Sequence, residues 1–201
     1  MGSILAENQV ARRLNVSRTP VGRALRLLLR EGLLEVGPRR QLVVRGFGPQ
    51  HRDEVLRIRE SLEVLAVESA CAAADEEDFD RLRLLLFRQR RAAEADHADE
   101  FIALDEQFHL EMAESADLPI LSAFLHQLRG FVRLMRLGKV TDSEHMLNVL
   151  HEHESILDAL EARRPARARS ALLAHLRRTQ GVPATARTGA PRARERGGEI
   201  A

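Results

Sequence analysis

The sequence predicts a mainly α protein, a winged helix-turn-helix followed by an all-α antiparallel bundle of about six helices. Three observations carry that prediction. The chain is 44% apolar and rich in Leu and Ala, both strong helix formers. From residue 49 to 179 its apolar residues recur at helical spacing, with few breakers and no strand-like alternation. Within residues 4–47 a short helix, a tight turn, a second helix and two β-like runs follow one another.

The first helix is "ENQVARRLN", where Val10 and Leu14 stand four apart. "NVS" follows as a turn. Ser17 is a good N-cap, and Pro20 sits in the first turn, where a missing N–H does no harm. Val21, Leu25, Leu28 and Leu29 then form one stripe, and Gly32 stops the helix. "LLEVGPRRQLVVRGF" gives two short strands around "GPRR". These are the parts of a winged helix-turn-helix over residues 1–48. That motif puts the start of its second helix, here "SRTPVGR", in the major groove. Ser17 and Thr19 suit phosphates, while Arg18 and Arg23 reach base edges or backbone. Arg12 adds charge nearby, and Arg39 and Arg40 fall at the wing tip. The partner implied is double-stranded DNA.

Residues 49–179 divide into helices at about 50–75, 77–95, 97–115, 118–137, 142–162 and 165–179, with breaks such as "DEED", "ADLP" and "RRP". Residues 180–201 are rich in Gly, Pro and Arg and poor in large apolar residues, which predicts a disordered tail.

Composition narrows the function. The net charge is +1, so an anion or nucleic-acid site must arise from local clustering. Seven Phe with no Trp or Tyr argue against a base-stacking single-strand binder. The single cysteine, Cys71, lies in "LAVESACAAA" and reads as a small core residue. No apolar run nears the roughly 20 residues that span a bilayer. "MGSILAENQ" lacks the basic start and long apolar segment of a signal peptide. A cytoplasmic protein without a membrane partner is expected.

"ALDEQFHLEMAE" places Asp105 four residues before His109, on the face that carries Leu104, Phe108 and Met112. In the helix from 142, His153 falls between Leu150 and Leu157 in the apolar stripe, whereas His151 faces away. In the last helix His175 joins Ala168, Ala171, Leu172 and Leu176. Asp105, His109, His153 and His175 are thus four inward polar groups on three helices. Buried polar groups are costly unless paired. Spacing alone leaves two readings: hydrogen-bonded core histidines, or ligands to one divalent cation, for which Zn, Ni, Mn and Fe(II) suit three imidazoles and a carboxylate.

"ARRLNVSRTPVGRALRLLLREGLLEVGPRRQLVVRGF" resembles the winged-helix domain of GntR-type transcription regulators. "DEQFHLEMAESADLPIL" with "HEHESILDALEARRPARARSALLAHL" resembles the FCD domain of that family's FadR subfamily. The resemblance puts Asp105, His109, His153 and His175 on the family's metal positions, and Arg59 and Glu63 of "RIRESLE" in register with its first helix. It implies a cytoplasmic homodimer whose helical domain binds a small organic-acid effector that modulates operator binding. Arg59, and Arg133 or Arg136 in "GFVRLMRLG", are the arginines expected to pair with an effector carboxylate. Two departures stand out. Gly22-Arg23 occupies the place of the family's Arg-Glu. The family's first helix has no counterpart before residue 4, so the head reads as partial, with Val10, Leu14, Leu25 and Leu28 partly exposed. The rival readings are a metal-dependent helical-bundle enzyme and an effector-binding module with an impaired DNA-binding head.

Overall fold

The computed structural model describes residues 2–136 and 142–179. The tail read as disordered, the connection 137–141 and the side chains of Arg136 and Thr179 lie outside the described residues. The order is β1 (Ile4–Leu5), α1 (Glu7–Leu14), α2 (Arg18–Arg30), β2 (Leu34–Val36), β3 (Leu42–Val44), α3 (Pro49–Ala73), α4 (Glu76–Glu94), α5 (Ala98–Glu114), α6 (Pro119–Arg136), α7 (Ser143–Glu161) and α8 (Pro165–Thr179).

In the head, β3 pairs antiparallel with both other strands, Ile4 facing Val43 and Leu34 facing Val44. The sheet order is β1-β3-β2. Strand β1 was not expected, because two residues are too short for an alternating pattern to register. Asn15, at φ 53°, makes the tight turn between α1 and α2. Ser17 holds the extended N-cap geometry, but its side chain makes no capping bond. Among the described residues the first helix is α1. The expected exposure holds for Leu14, at 62%, and partly for Val10 and Leu28. It fails for Leu25, which is buried with Ala11, Val21 and Leu34 where α1, α2 and β2 meet.

Helices α3 to α8 fall within one or two residues of the spans expected from periodicity. Their ends carry identifiable caps. Asp75 accepts from the Asp78 N–H and Asp78 returns the bond to the Asp75 N–H, each at 2.9 Å. Asp142 accepts from the His145 N–H at 2.8 Å. α3 runs through the middle, packed against α5, α6, α7 and α8, while α4 packs on α5 and α7. Phe79, Leu82, Phe108, Met112, Leu150 and Leu172 are buried in the main core. Each contributes about 1.5–3 kcal/mol of transfer free energy. Cys71 is buried there as well. Among the described residues, no helix is long and apolar enough to cross a membrane.

Head and bundle meet at α6. The rings of Phe47 and Phe131 pack edge to face with centroids 5.5 Å apart. Within the bundle, at the start of α3 next to the head, Arg52 donates to the Met135 carbonyl of α6 at 3.4 Å. Gly130 lies so close to Leu33 that a Cβ there would be 2.6 Å from Leu33 Cδ1. A glycine inside a helix weakens it by roughly 0.5–1 kcal/mol relative to alanine, and here the missing side chain is what lets the head approach.

The reciprocal cap at Asp75 gives a direct test. Asp75→Ala removes the side-chain acceptor of the Asp78 N–H, while the Asp75 backbone N–H still donates to Asp78. The expected loss is about 1 kcal/mol, read as a melting temperature lower by roughly 2–4 °C in calorimetry.

Candidate metal centre and DNA-reading surface

Helix α5 turns Asp105 and His109 inward because their neighbours Leu104, Phe108 and Met112 belong to the core. α7 brings His153 to the same point and α8 brings His175, while His151 is exposed. All four are at least 95% buried. One donor atom from each lies within 4.8 Å of the other three. His109 Nε2 is 3.1 Å from His175 Nε2, and His153 Nε2 is 3.5 Å from Asp105 Oδ1. Metal–nitrogen bonds of roughly 2.0–2.1 Å put two ligands of one ion about 3–4 Å apart, so these separations fit a single cation.

The other ring nitrogens decide which atoms face inward. His109 Nδ1 lies 2.8 Å from Glu63 Oε2, and His175 Nδ1 lies 2.8 Å from Glu152 Oε2. Gln89 donates to the Leu104 carbonyl at 3.2 Å, which leaves its Oε1 to accept His153 Nδ1–H at 2.8 Å. An acceptor beside each Nδ1 favours the ring proton there and the Nε2 lone pair toward the centre. Phe108 stacks on His153 at 4.4 Å and fixes its plane. Two lone pairs 3.1 Å apart repel each other. A proton on either Nε2 or a cation between them relieves this. Burial first, then the charge of His109, holds His175 well below its ordinary value, against the pull of Asp105 and Glu63. The donor set fits a divalent cation.

Glu63 and Arg59 form a buried ion pair on α3 at 2.5 Å. Burial by itself would raise the Glu63 carboxyl, but Arg59 and His109 outweigh it and hold the pKa at about 2. A fixed anion thus stands behind His109. Glu152 also bonds Arg178 at 2.7 Å. Sequence reasoning set Glu63 in register but assigned it no role, and it missed Gln89 and Glu152. Gln89 lies among buried apolar residues of α4, and a lone buried glutamine was the signal available.

A small, partly open cavity of about 30 Å³ adjoins the centre, between α3, α5 and α6. His109 and Glu63 line it beside Arg59, Glu106, Arg129 and the apolar residues Leu110, Leu125, Leu128 and Val132. Of the arginines expected to meet an effector, Arg59 lines this cavity. Arg133 is exposed and outside its lining, where α6 presents Arg129, one turn earlier. The Arg136 side chain lies outside the described residues.

In the head, Arg12, Ser17, Arg18, Thr19, Arg23, Arg39 and Arg40 are all exposed. Arg18 opens α2, and Arg39 and Arg40 sit in the β2–β3 turn. Gly22 faces α1, where a Cβ would meet Glu7 Oε2 at 3.1 Å. The same carboxylate lies 3.5 Å from Arg18 Nε. Arg23 projects to solvent on another side of the helix.

A winged helix with exposed arginines on its second helix, joined to a helical domain with a buried His/Asp cluster, defines a two-domain regulator class. Residues 1–44 match the family of bacterial regulatory proteins, gntR family, and residues 54–178 match the FCD domain. The chain belongs to the GntR family of transcriptional regulators, with a helix-turn-helix domain and an FCD domain. It is similar to the uncharacterized HTH-type transcriptional regulator YdhC of Bacillus subtilis, 29% identical over 175 residues, 87% of this chain and 78% of the relative. The transcriptional repressor RspR of Escherichia coli is also 29% identical, over 178 residues, 87% of this chain and 77% of that protein. The solved structure of E. coli McbR/YncC superposes with a TM-score of 0.81 at 26% identity, covering 90% of this chain and 86% of that one.

The centre yields two expected outcomes in metal analysis of the purified chain. His109→Ala with His175→Ala abolishes stoichiometric metal, and a doubly substituted protein with unchanged metal content excludes the site. Glu63→Gln leaves the ligands intact and lowers metal affinity by about 10–100-fold.

Proposed function

We propose that this regulator holds one divalent cation on Asp105, His109, His153 and His175, and that a small carboxylic acid binding beside it changes operator affinity. The observation that supports this most directly is the placement of acceptors around the three rings. Three acceptors from three helices, Glu63, Gln89 and Glu152, turn three Nε2 atoms toward one carboxylate. A core that needed only satisfied histidines has no reason to aim all three lone pairs at one point. The cation, when bound, supplies Lewis-acid positions for an anionic ligand. Arg59 stands at the cavity wall as a bidentate partner for a carboxylate.

The rest of the chain supports a switch. α6 lines the cavity with Leu125, Leu128, Arg129 and Val132, and it meets the head through Gly130 and Phe131. A ligand that packs differently against α6 in two arrangements shifts the head between them. In this reading the chain works as a homodimer, two heads reading two half-sites of an operator. α3 and α6, which pack on each other, leave Ile58, Leu65, Ile120 and Phe124 in solvent, side chains that suit a second copy. A sensing role accounts for the winged helix, which a metalloenzyme reading leaves without work.

The test is operator binding by the full chain on DNA upstream of its own gene, with metal present and after chelation. Metal loading is expected to change the affinity for this DNA, and equal affinity in both states rejects the switch. Arg18→Ala is expected to weaken binding by about 1–3 kcal/mol. Unaltered affinity in that variant rejects α2 as the reading helix.

A further inference from the structure

The proposed reading helix has a carboxylate lying over it that the proposed function leaves without work. Arg18, Gly22 and Arg26 stand four apart and so form one row along α2. The two arginines are exposed and Gly22 is buried. Glu7, the first residue of α1, reaches into the gap that the glycine leaves in this row. A Cβ on Gly22 would lie 3.1 Å from Glu7 Oε2 and 3.5 Å from a terminal nitrogen of Arg26. The other carboxylate oxygen, Oε1, is 3.5 Å from Arg18 Nε.

An exposed pair of this kind adds little to stability. An acid at the start of α1 also offsets the positive end of the helix dipole, but that role does not require it to lie over α2. The contact with Arg18 has a chemical consequence. An arginine beside DNA can donate to a phosphate, which carries no sequence information, or to a base edge, which does. The Glu7 charge repels phosphates. It meets the guanidinium at Nε and leaves both terminal nitrogens to donate together, the arrangement that fits O6 and N7 of one guanine. We propose that Glu7 is a positioning residue for sequence readout, holding Arg18 by its Nε so that it addresses a guanine edge in place of the phosphates. Gly22 makes this possible by leaving the carboxylate room. The inference rests on α2 as the reading helix and goes beyond it, since basic side chains alone attract DNA of any sequence.

The experiment is selection of binding sites by the full chain from a random-sequence duplex pool, followed by titration of a selected and an unselected duplex at several salt concentrations. The unaltered chain is expected to select sites with a guanine whose replacement weakens binding by about tenfold or more. In Glu7→Gln that preference is lost, while the unselected duplex binds more tightly and with a salt dependence steeper by about one phosphate contact. A merely structural defect lowers affinity for both duplexes together. Glu7→Asp keeps the charge at the start of α1 but is a methylene shorter, and it is expected to lose the guanine preference as well. If Glu7→Gln retains the preference or weakens both duplexes alike, or if Glu7→Asp matches the unaltered chain, the inference is overturned while α2 stands as the reading helix. If the unaltered chain selects no sequence, or Arg18→Ala leaves the selected duplex unaffected, both fall.

Discussion

Three imidazoles and a carboxylate cannot be taken out of water unless every ring nitrogen and oxygen is accounted for, and that condition organises the bundle. The Nδ1 atoms are met by Glu63 from α3, Gln89 from α4 and Glu152 from α7. The Nε2 atoms converge with Asp105 from α5. Five helices are thereby tied to one point, and their relative placement is set by hydrogen-bond geometry as well as by apolar packing. Such networks hold only as a unit: removing one member strands another in a medium where an unpaired polar group is costly.

Helix α6 stands apart from this arrangement. Among the described residues it gives the centre no ligand and no outer acceptor. It is held by apolar side chains and by polar contacts of its own: Arg129 with Glu106, Ser122 with the Ala113 carbonyl, His126 with Glu114 and Arg52 with the Met135 carbonyl. It also carries the contacts with the head at Gly130 and Phe131. The proposed switch has a physical route here, since α6 is the helix that touches both the cavity and the head.

The reading surface follows a similar economy of space. At Gly22 the chain departs from the family pattern, and the space left by the missing side chain is taken by the Glu7 carboxylate, which also reaches Arg18. An exposed pair of this kind adds little to stability. Its consequence is positional: one arginine of α2, the proposed reading helix, lies against Glu7 of α1, while Arg23 is exposed to solvent.

Much of this was legible in the chain itself. Periodicity located the six bundle helices to within one or two residues and separated the inward His153 from the outward His151. The spacing of Asp105 and His109, read with the family resemblance, put four ligand candidates together. What one strand of sequence does not carry is which helix lies opposite which. Glu63 reads as half of an i, i+4 pair with Arg59, yet its use is to meet His109 across the bundle. Glu152 carries no local mark of its role, and Gln89 only its isolation among apolar residues of α4. That Arg129 and not Arg133 lines the cavity depends on a rotation of α6 that only its neighbours set. The two-residue β1 exists because β3 offers it an edge. A hydrophobic repeat reports the side of a helix that avoids water, and partners across a core are decided by packing between helices far apart in the chain.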